Sequence, residues 1–341
     1  GSGGAASVVS GRRVQWRLAS SFPRSLDAMF GSAELLAERV HEMSGGNFRI
    51  RCYEANELVP ALNVLSAVQR GSAQVGQTAG YYYTGQNPAL AFDTCVPFGL
   101  TPRQQQAWLR DAGGLELTRA LYADFGVVNF PAGNTGVQMG GWFRQPIDGP
   151  EDLVGLKMRI PGLGGKVMDA LGVVVQNIGG SEIYTALEMG TIDATEWVGP
   201  YDDEKLGFHQ VAKHYQYPGW WEPGPELSFL VNAEAWEGLP AEYRAMFETA
   251  CNEAAVKMQV RYDSQNPAAL TRLLQKGVQV RPFSEALLER AKEASEDLLS
   301  TSAANDAGYA ELLENWRAFR DQIFPWFGTA ELAYAKSAFG G

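Results

Sequence analysis

Between residues 14 and 71 the hydrophobic period changes three times, and this alternation constrains the fold more than any other feature of the chain. Val14-Gln15-Trp16-Arg17-Leu18-Ala19 alternates with period two, as a strand with one buried face does, and runs into the small polar pair Ser20-Ser21. Met29, Ala33, Leu36, Val40 and Met43 then recur at helical spacing, with Ser25 placed to cap the start and Gly45-Gly46 to stop the end. Phe48 to Tyr53 returns to strand, and Pro60, Leu62, Leu65, Val68 and Gly71 outline a short second helix. A β-α-β-α opening needs helices packed on a sheet, and it places ligand loops beyond the carboxyl ends of the strands.

A second round of the same kind follows. Residues 156–160 and 173–176 read as strands, 165–171 and 181–189 as helices, and Gly190 ends the last of them. An ordinary domain has roughly 100–200 residues, so two such rounds in 341 residues predict two α/β lobes. Residues 126–143 hold two β-rich runs parted by Gly133-Asn134, which would carry the chain across a hinge, and 227–231 is the strand expected to return it. Residues 241–275 are helical throughout, 278–282 is one more strand, and the remainder is helical. The last helix carries Tyr309, Leu312, Leu313, Trp316, Phe319, Ile323 and Phe327 at spacings of three and four. Such a stripe either packs on its own subunit or meets a second copy.

Charge and motifs exclude more than they assign. Lys plus Arg number 28 against 39 Asp plus Glu, a formal charge of −11, which is wrong for a nucleic-acid binder. No apolar run reaches the roughly 18–20 residues that cross a bilayer. Cys52, Cys95 and Cys251 lack metal-finger spacing and read as small buried hydrophobes, and their odd number leaves at least one thiol free. His41, His209 and His214 do not cluster with them. There is no GxSxG, HExxH or EF-hand loop. Gly162-Leu163-Gly164-Gly165-Lys166 fails as a phosphate loop, because Val167 stands where a magnesium-binding hydroxyl belongs. The chain begins Gly1-Ser2-Gly3-Gly4 without methionine, as a processed terminus or a cloning remnant would.

What remains is a set of polar residues in apolar or aromatic surroundings. Arg159 ends the strand at 156–160 just before Pro161-Gly162, and the planar fork of a permanently charged guanidinium matches a carboxylate. Glu196 and Glu222 sit among tryptophans, in Thr195-Glu196-Trp197 and Trp220-Trp221-Glu222, where an uncompensated carboxylate is costly. In one cleft with a carboxylate ligand they would set three negative charges against Arg159 alone. A bound cation relieves that repulsion, with oxygens from both glutamates, an amide such as Gln138, a backbone carbonyl and the ligand itself. The other use of paired carboxylates is acid/base catalysis, as in a lyase or hydrolase acting through Glu196 and Glu222. Tyr81, Tyr82 and Tyr83, within 79–99, either line a cleft or alternate along a strand edge.

The run Gly155-Leu156-Lys157-Met158-Arg159-Ile160-Pro161-Gly162, followed by Gly190-Thr191-Ile192-Asp193-Ala194-Thr195-Glu196-Trp197, resembles the DctP-type extracytoplasmic solute receptors of TRAP transporters. The similarity extends over nearly the whole chain from Val14. Tyr217-Pro218-Gly219-Trp220-Trp221-Glu222-Pro223-Gly224-Pro225 is similar to the TakP-like subgroup, which binds 2-oxo acids such as pyruvate, or lactate, with a cation. The resemblance implies a two-lobed α/β fold of the periplasmic-binding-protein kind, with a hinge, a connecting helix and a long C-terminal helix. The expected division is 14–140 with 226–270 in the first lobe, 141–225 with 271–300 in the second, and 301–341 as a C-terminal helical segment that swaps between protomers. Also implied are Arg159 and Asn177 for the ligand, with Tyr82 or Tyr83 beside them. Gln138, Glu196, the carbonyl of Trp197 and Glu222 would surround a metal cation, sodium ahead of calcium. Capture without chemistry would then take place in the periplasm after removal of a signal peptide, with a membrane permease as partner and a homodimer as the assembly. A receptor for lactate or another carboxylate would share this fold.

Overall fold

These segments assemble around two separate sheets in the computed structural model, which describes residues 11–339. The strands are β1 (Val14–Ser20), β2 (Phe48–Tyr53), β3 (Val75–Thr78), β4 (Val127–Asn134), β5 (Trp142–Phe143), β6 (Lys157–Arg159), β7 (Val174–Gln176), β8 (Ala194–Thr195), β9 (His214–Tyr217), β10 (Glu226–Asn232) and β11 (Gln279–Pro282). The first sheet has the order β2-β1-β3-β10-β4 and the second β11-β9-β5-β8-β6-β7. Parallel pairing joins β1 to β2 and β3, and β6 to β7 and β8, as strands separated by helical crossovers require. Each sheet also takes in one strand running against its neighbours: β10 is antiparallel to β3 and β4, and β5 to β8 and β9. Those are the strands the chain forms on its first passage each way, so two crossings are residues 135–141 and 218–225, and a third, residues 233–278 with the long helix Ala241–Gln275, returns the chain to β11. The Gly133-Asn134 pair is not itself the crossing; it closes β4, opposite Leu227 and Glu226 of β10.

Helix Met29–Met43 buries Met29, Phe30, Ala33, Leu36 and Val40, the stripe its spacing predicts. It starts later than a Ser25 cap would place it. Phe30 N donates to Leu26 O at 2.8 Å, and Ala28 stands at the cap position with no side-chain bond. Its end is set by Gly45 and Gly46, whose φ of +60° and +84° only glycine adopts without strain. The 35-residue helix Ala241–Gln275, about 50 Å long at 1.5 Å per residue, is tied to both lobes. Arg39 meets Glu253 at 2.9 Å on the first, and Arg272 and Lys276 hold Glu204 at 2.8 and 2.7 Å on the second.

Tyr309, Leu312, Leu313 and Trp316 of helix Ala307–Phe327 are buried on their own chain, where Tyr309 and Trp316 meet Phe92 edge-on at 5.2 and 6.0 Å. Beyond Ile323 the apolar side chains turn outward, and Trp326 is 62% and Tyr334 69% exposed. The first half of the stripe thus packs on its own subunit, and the far end is left exposed. All three cysteines are free, Cys95 and Cys251 buried and Cys52 half-buried. No helix among the described residues is long and apolar enough to cross a membrane.

Candidate functional site

The first two crossings pair with each other between the lobes. Gln138 N donates to Glu222 O (3.3 Å), Gly219 N to Gln138 O (3.1 Å) and Glu222 N to Gly219 O (3.0 Å), so one backbone knot brings Gln138 and Glu222 together. From the second sheet, β6 and β8 lie parallel with Arg159 opposite Thr195. Arg159 and Glu196 therefore leave the sheet side by side at its carboxyl edge, and Glu196 N donates to Arg159 O at 3.2 Å. The first lobe contributes the 3₁₀ turn Gly80–Tyr83, just beyond β3. At three residues per turn successive side chains point about 120° apart, which directs Tyr81 and Tyr82 toward the second lobe and Tyr83 away from it. Gly162, at φ +66°, seats Tyr81: a Cβ there would lie 2.6 Å from the Tyr81 ring.

The ionic groups are shut off from water, Arg159 and Glu222 at 1% exposure and Glu196 at 0%. Arg159 Nη1 pairs with Glu196 Oε1, Nε donates to Ile178 O at 3.0 Å, and the guanidinium lies 5.0 Å over the Trp197 ring. Its Nη2 has no partner. Glu196 Oε2, both carboxylate oxygens of Glu222 and Gln138 Oε1 also lack one, the Gln138 amide nitrogen being engaged by Thr135 Oγ1 at 3.0 Å. Burial pushes Glu196 up to about 7 against the pull of Arg159. Burial also lifts Glu222 well above the usual carboxylate range, and the Glu196 charge adds to the effect. Burial raises Tyr82 too, here against the Arg159 charge.

Buried polar groups are normally satisfied, so five unpartnered atoms in one place need an explanation. The nitrogen suits an anion. The four oxygens, with no thiolate or imidazole among them, suit a hard cation such as sodium or calcium, which takes carboxylate and amide oxygens. Beside them Phe22, Met29, Tyr82, Gln138, Trp197 and Leu227 close around a cavity of about 10 Å³, the room of a single water.

The structure thus brings together Arg159, Glu196, Trp197, Glu222, Gln138 and Tyr82. It does not bring in Tyr83, whose hydroxyl contacts Thr78 Oγ1 at 2.8 Å and accepts from Leu65 N at 3.3 Å inside the first lobe. Asn177 also stays outside. It follows the edge strand β7 and is exposed, and the next residue supplies the contact, through the Ile178 carbonyl on Arg159. Tyr81 and Thr135 were not singled out by the motifs. Tyr81 had a signal in the tyrosine triplet, whereas Thr135 lies in an aperiodic crossing that offers none.

Two α/β lobes joined by paired crossings, with an anion-seeking arginine and cation-seeking oxygens at the junction, define a hinged solute receptor. The family model described as bacterial extracellular solute-binding protein, family 7 (DctP), matches residues 19–306, and the chain belongs to that family. It is 53% identical over 325 residues, 95% of this chain and 89% of the other, to a monocarboxylate 2-oxoacid-binding periplasmic protein of Nostoc sp.. A TRAP transporter solute-binding protein of Bordetella bronchiseptica has the same fold at a TM-score of 0.95 and 43% identity, covering 96% of this chain and 98% of that one. That protein is a dimer of mixed occupancy, with copurified calcium and picolinate in one active site and an apo site. A counterpart from Pseudoalteromonas atlantica, at 0.93 and 40% identity with 96% and 99% covered, holds sodium and pyruvate. The family and these neighbours are solute-binding receptors, not enzymes.

Proposed function

We propose that this receptor captures a small 2-oxo monocarboxylate, pyruvate first among them, together with one sodium or calcium ion, in the periplasm, and delivers it to the membrane permease of a TRAP transporter. The observation that carries the reading is the set of unpartnered buried atoms, Arg159 Nη2 facing one kind of ligand and the oxygens of Glu196, Glu222 and Gln138 another. Arg159 would hold the acid's carboxylate through parallel charge-assisted bonds. Glu196, Glu222, Gln138 and the Trp197 carbonyl would hold the cation, which when bound neutralises the two glutamates. Trp197 and Tyr82 exclude water and so strengthen the ion pairs. The lobes, taken as 14–140 with 226–270 and 141–225 with 271–300, would close about the crossings that carry Gln138 and Glu222.

A homodimer fits the far end of the C-terminal helix. Phe324, Phe327, Leu332, Tyr334 and Phe339 edge a groove of about 950 Å³ that runs onto Val137, and a second copy of this stripe would fill it.

The test is calorimetric titration of pyruvate into metal-stripped, refolded protein with and without sodium or calcium. Binding that requires one of the cations is the expected result. Binding of a dicarboxylate or sugar acid in place of pyruvate would remove the monocarboxylate assignment, and cation-independent binding would remove the metal.

A further inference from the structure

Short helix Pro200–Leu206 follows Trp197 directly, and its side chains fasten it in three directions. Asp202 Oδ2 accepts from Trp197 Nε1 at 3.3 Å and from Tyr262 of the long helix at 2.7 Å. Glu204 takes Arg272 from the same helix and Lys276 from just past its end. These bonds fasten Pro200–Leu206 to the Trp197 wall of the cavity and to the long helix.

The third direction crosses the cleft. Asp27 lies between β1 and helix Met29–Met43, in the first lobe. Its Oδ1 pairs with Lys205 Nζ, and its Oδ2 accepts from Tyr201 at 2.9 Å and from Arg261 of the long helix at 2.9 Å. Lys205 Nζ in turn lies 3.5 Å over the Tyr201 ring. Among the described residues, Asp27–Lys205 is the one ion pair joining the strands and loops of the first sheet to those of the second. Leu26 and Ala28 flank it in a segment that continues into Met29, which lines the cavity together with Phe22.

We propose that Asp27 is a positioning residue for ligand retention: held by Lys205, Tyr201 and Arg261, it clasps the first lobe over the loaded cleft and sets how fast the solute leaves. The groups are half-exposed, at 43% for Asp27, 28% for Lys205 and 50% for Arg261, so opening returns each of them to water. Exposed pairs of this kind contribute little individually, which makes the clasp reversible. Two cations and one hydroxyl on one carboxylate change release by roughly tenfold rather than by many orders.

The inference rests on the carboxylate-receptor reading for its probe, pyruvate with calcium, and two measurements keep the two apart. In stopped-flow tryptophan fluorescence, Asp27→Asn should raise the dissociation rate about tenfold and Lys205→Met by a smaller factor, about two- to fivefold, while the association rate stays within about twofold. The double variant should be no faster than Asp27→Asn, and Asp27→Glu should recover most of the retention. Raising salt should speed release from the wild type and leave Asp27→Asn nearly unmoved. An unchanged dissociation rate, a loss confined to association, or additive single effects would each overturn the clasp. Should the wild type bind no pyruvate with either cation, the substrate reading falls, and the clasp is then decided by small-angle scattering of the proteins saturated with calcium and the dicarboxylate or sugar acid that calorimetry shows to bind. Asp27→Asn should have the larger radius of gyration there, and equal radii would refute it.

Discussion

One methyl group at residue 219 should dismantle the site. The Gly219 amide and carbonyl join Gln138 to Glu222, and a Cβ at that position would lie 2.5 Å from Gln138 O, 2.7 Å from Met139 O and 2.8 Å from the Gln138 carbonyl carbon. Real Cβ atoms essentially never come within 3.0 Å of such atoms, so in Gly219→Ala the crossings must part by at least about 0.5 Å. All three obstructing atoms are backbone and have no rotamer by which to give way. Cation–oxygen distances tolerate about 0.2 Å, so a displacement more than twice that, applied between Gln138 and Glu222, should weaken cation binding by about 10–100-fold. Overpacking should lower stability by only about 1–3 kcal/mol, a few degrees of melting temperature in a chain of this size. Calorimetry with calcium and with calcium plus pyruvate, set beside thermal melts, separates the two effects. Gly31→Ala serves as the control, since a Cβ there meets nothing within 4 Å, inside a helix that alanine favours. Binding by Gly219→Ala within twofold of wild type would show that the paired crossings do not fix the site.

Arg159→Met should reduce pyruvate affinity by about a thousandfold or more, and its destabilisation should be smaller at pH 6 than at pH 8, because Glu196, raised to about 7, can shed its charge at the lower pH. Equal losses at both pH values in thermal melts would contradict the pairing. Glu222→Gln should cut cation affinity at least about tenfold in calorimetry without lowering the melting temperature, since burial already disfavours the charged form that the cation needs and the amide replaces a protonated carboxyl of the same shape; an unchanged metal content would remove Glu222 from the cation set. Glu226 is raised to about 7, chiefly by burial, against bonds from Asn134 Nδ2 at 3.1 Å and Gly133 N at 3.3 Å. The folded chain therefore keeps a proton that the unfolded chain releases near pH 4.5. Its contribution, about 3 kcal/mol at most, is complete below that pH and lost as pH rises through 7. Glu226→Gln should flatten the fall in denaturant-measured stability between pH 5 and 8, and an unaltered slope would refute the assignment.

Regular elements were legible because period and burial coincide in them. The stripe of Met29, Ala33, Leu36 and Val40 and the 35-residue helix both follow this rule. The tryptophan-flanked glutamates and the strand-end arginine could be read because charge in apolar context is rare unless it has a partner or a task. What escaped depends on backbone direction. Tyr81, Tyr82 and Tyr83 look equivalent in sequence, and only the 3₁₀ turn divides them between cleft and lobe interior. Asn177 and Ile178 exchange roles by one residue, and a polar side chain drew attention where a carbonyl makes the contact. Asp27 escaped because an isolated exposed acid has no local signature; its partners Lys205 and Arg261 are far away in sequence and come from the other lobe and the long helix.

The location of the site explains why capture and closure are one event. Arg159 and Glu196 are fixed at the edge of the second sheet, whereas Gln138 and Glu222 ride on the two paired crossings, which must bend together with the long helix's connection when the lobes move. A ligand that draws all four together therefore acts on the hinge directly and needs no relay. Charge sets the order of events. Two buried glutamates against one buried arginine would leave the cleft net negative were both ionised, and the raised affinity of Glu196 and Glu222 for protons is the relief the chain itself provides before any acid arrives. An incoming carboxylate deepens the excess, so neither proton nor acid alone is the best occupant of the closed cleft. Acid and cation taken up together remove the repulsion between Glu196 on the second sheet and Glu222 on the crossing, and the weak Asp27–Lys205 contact at the rim then has only to hold what charge balance has already closed.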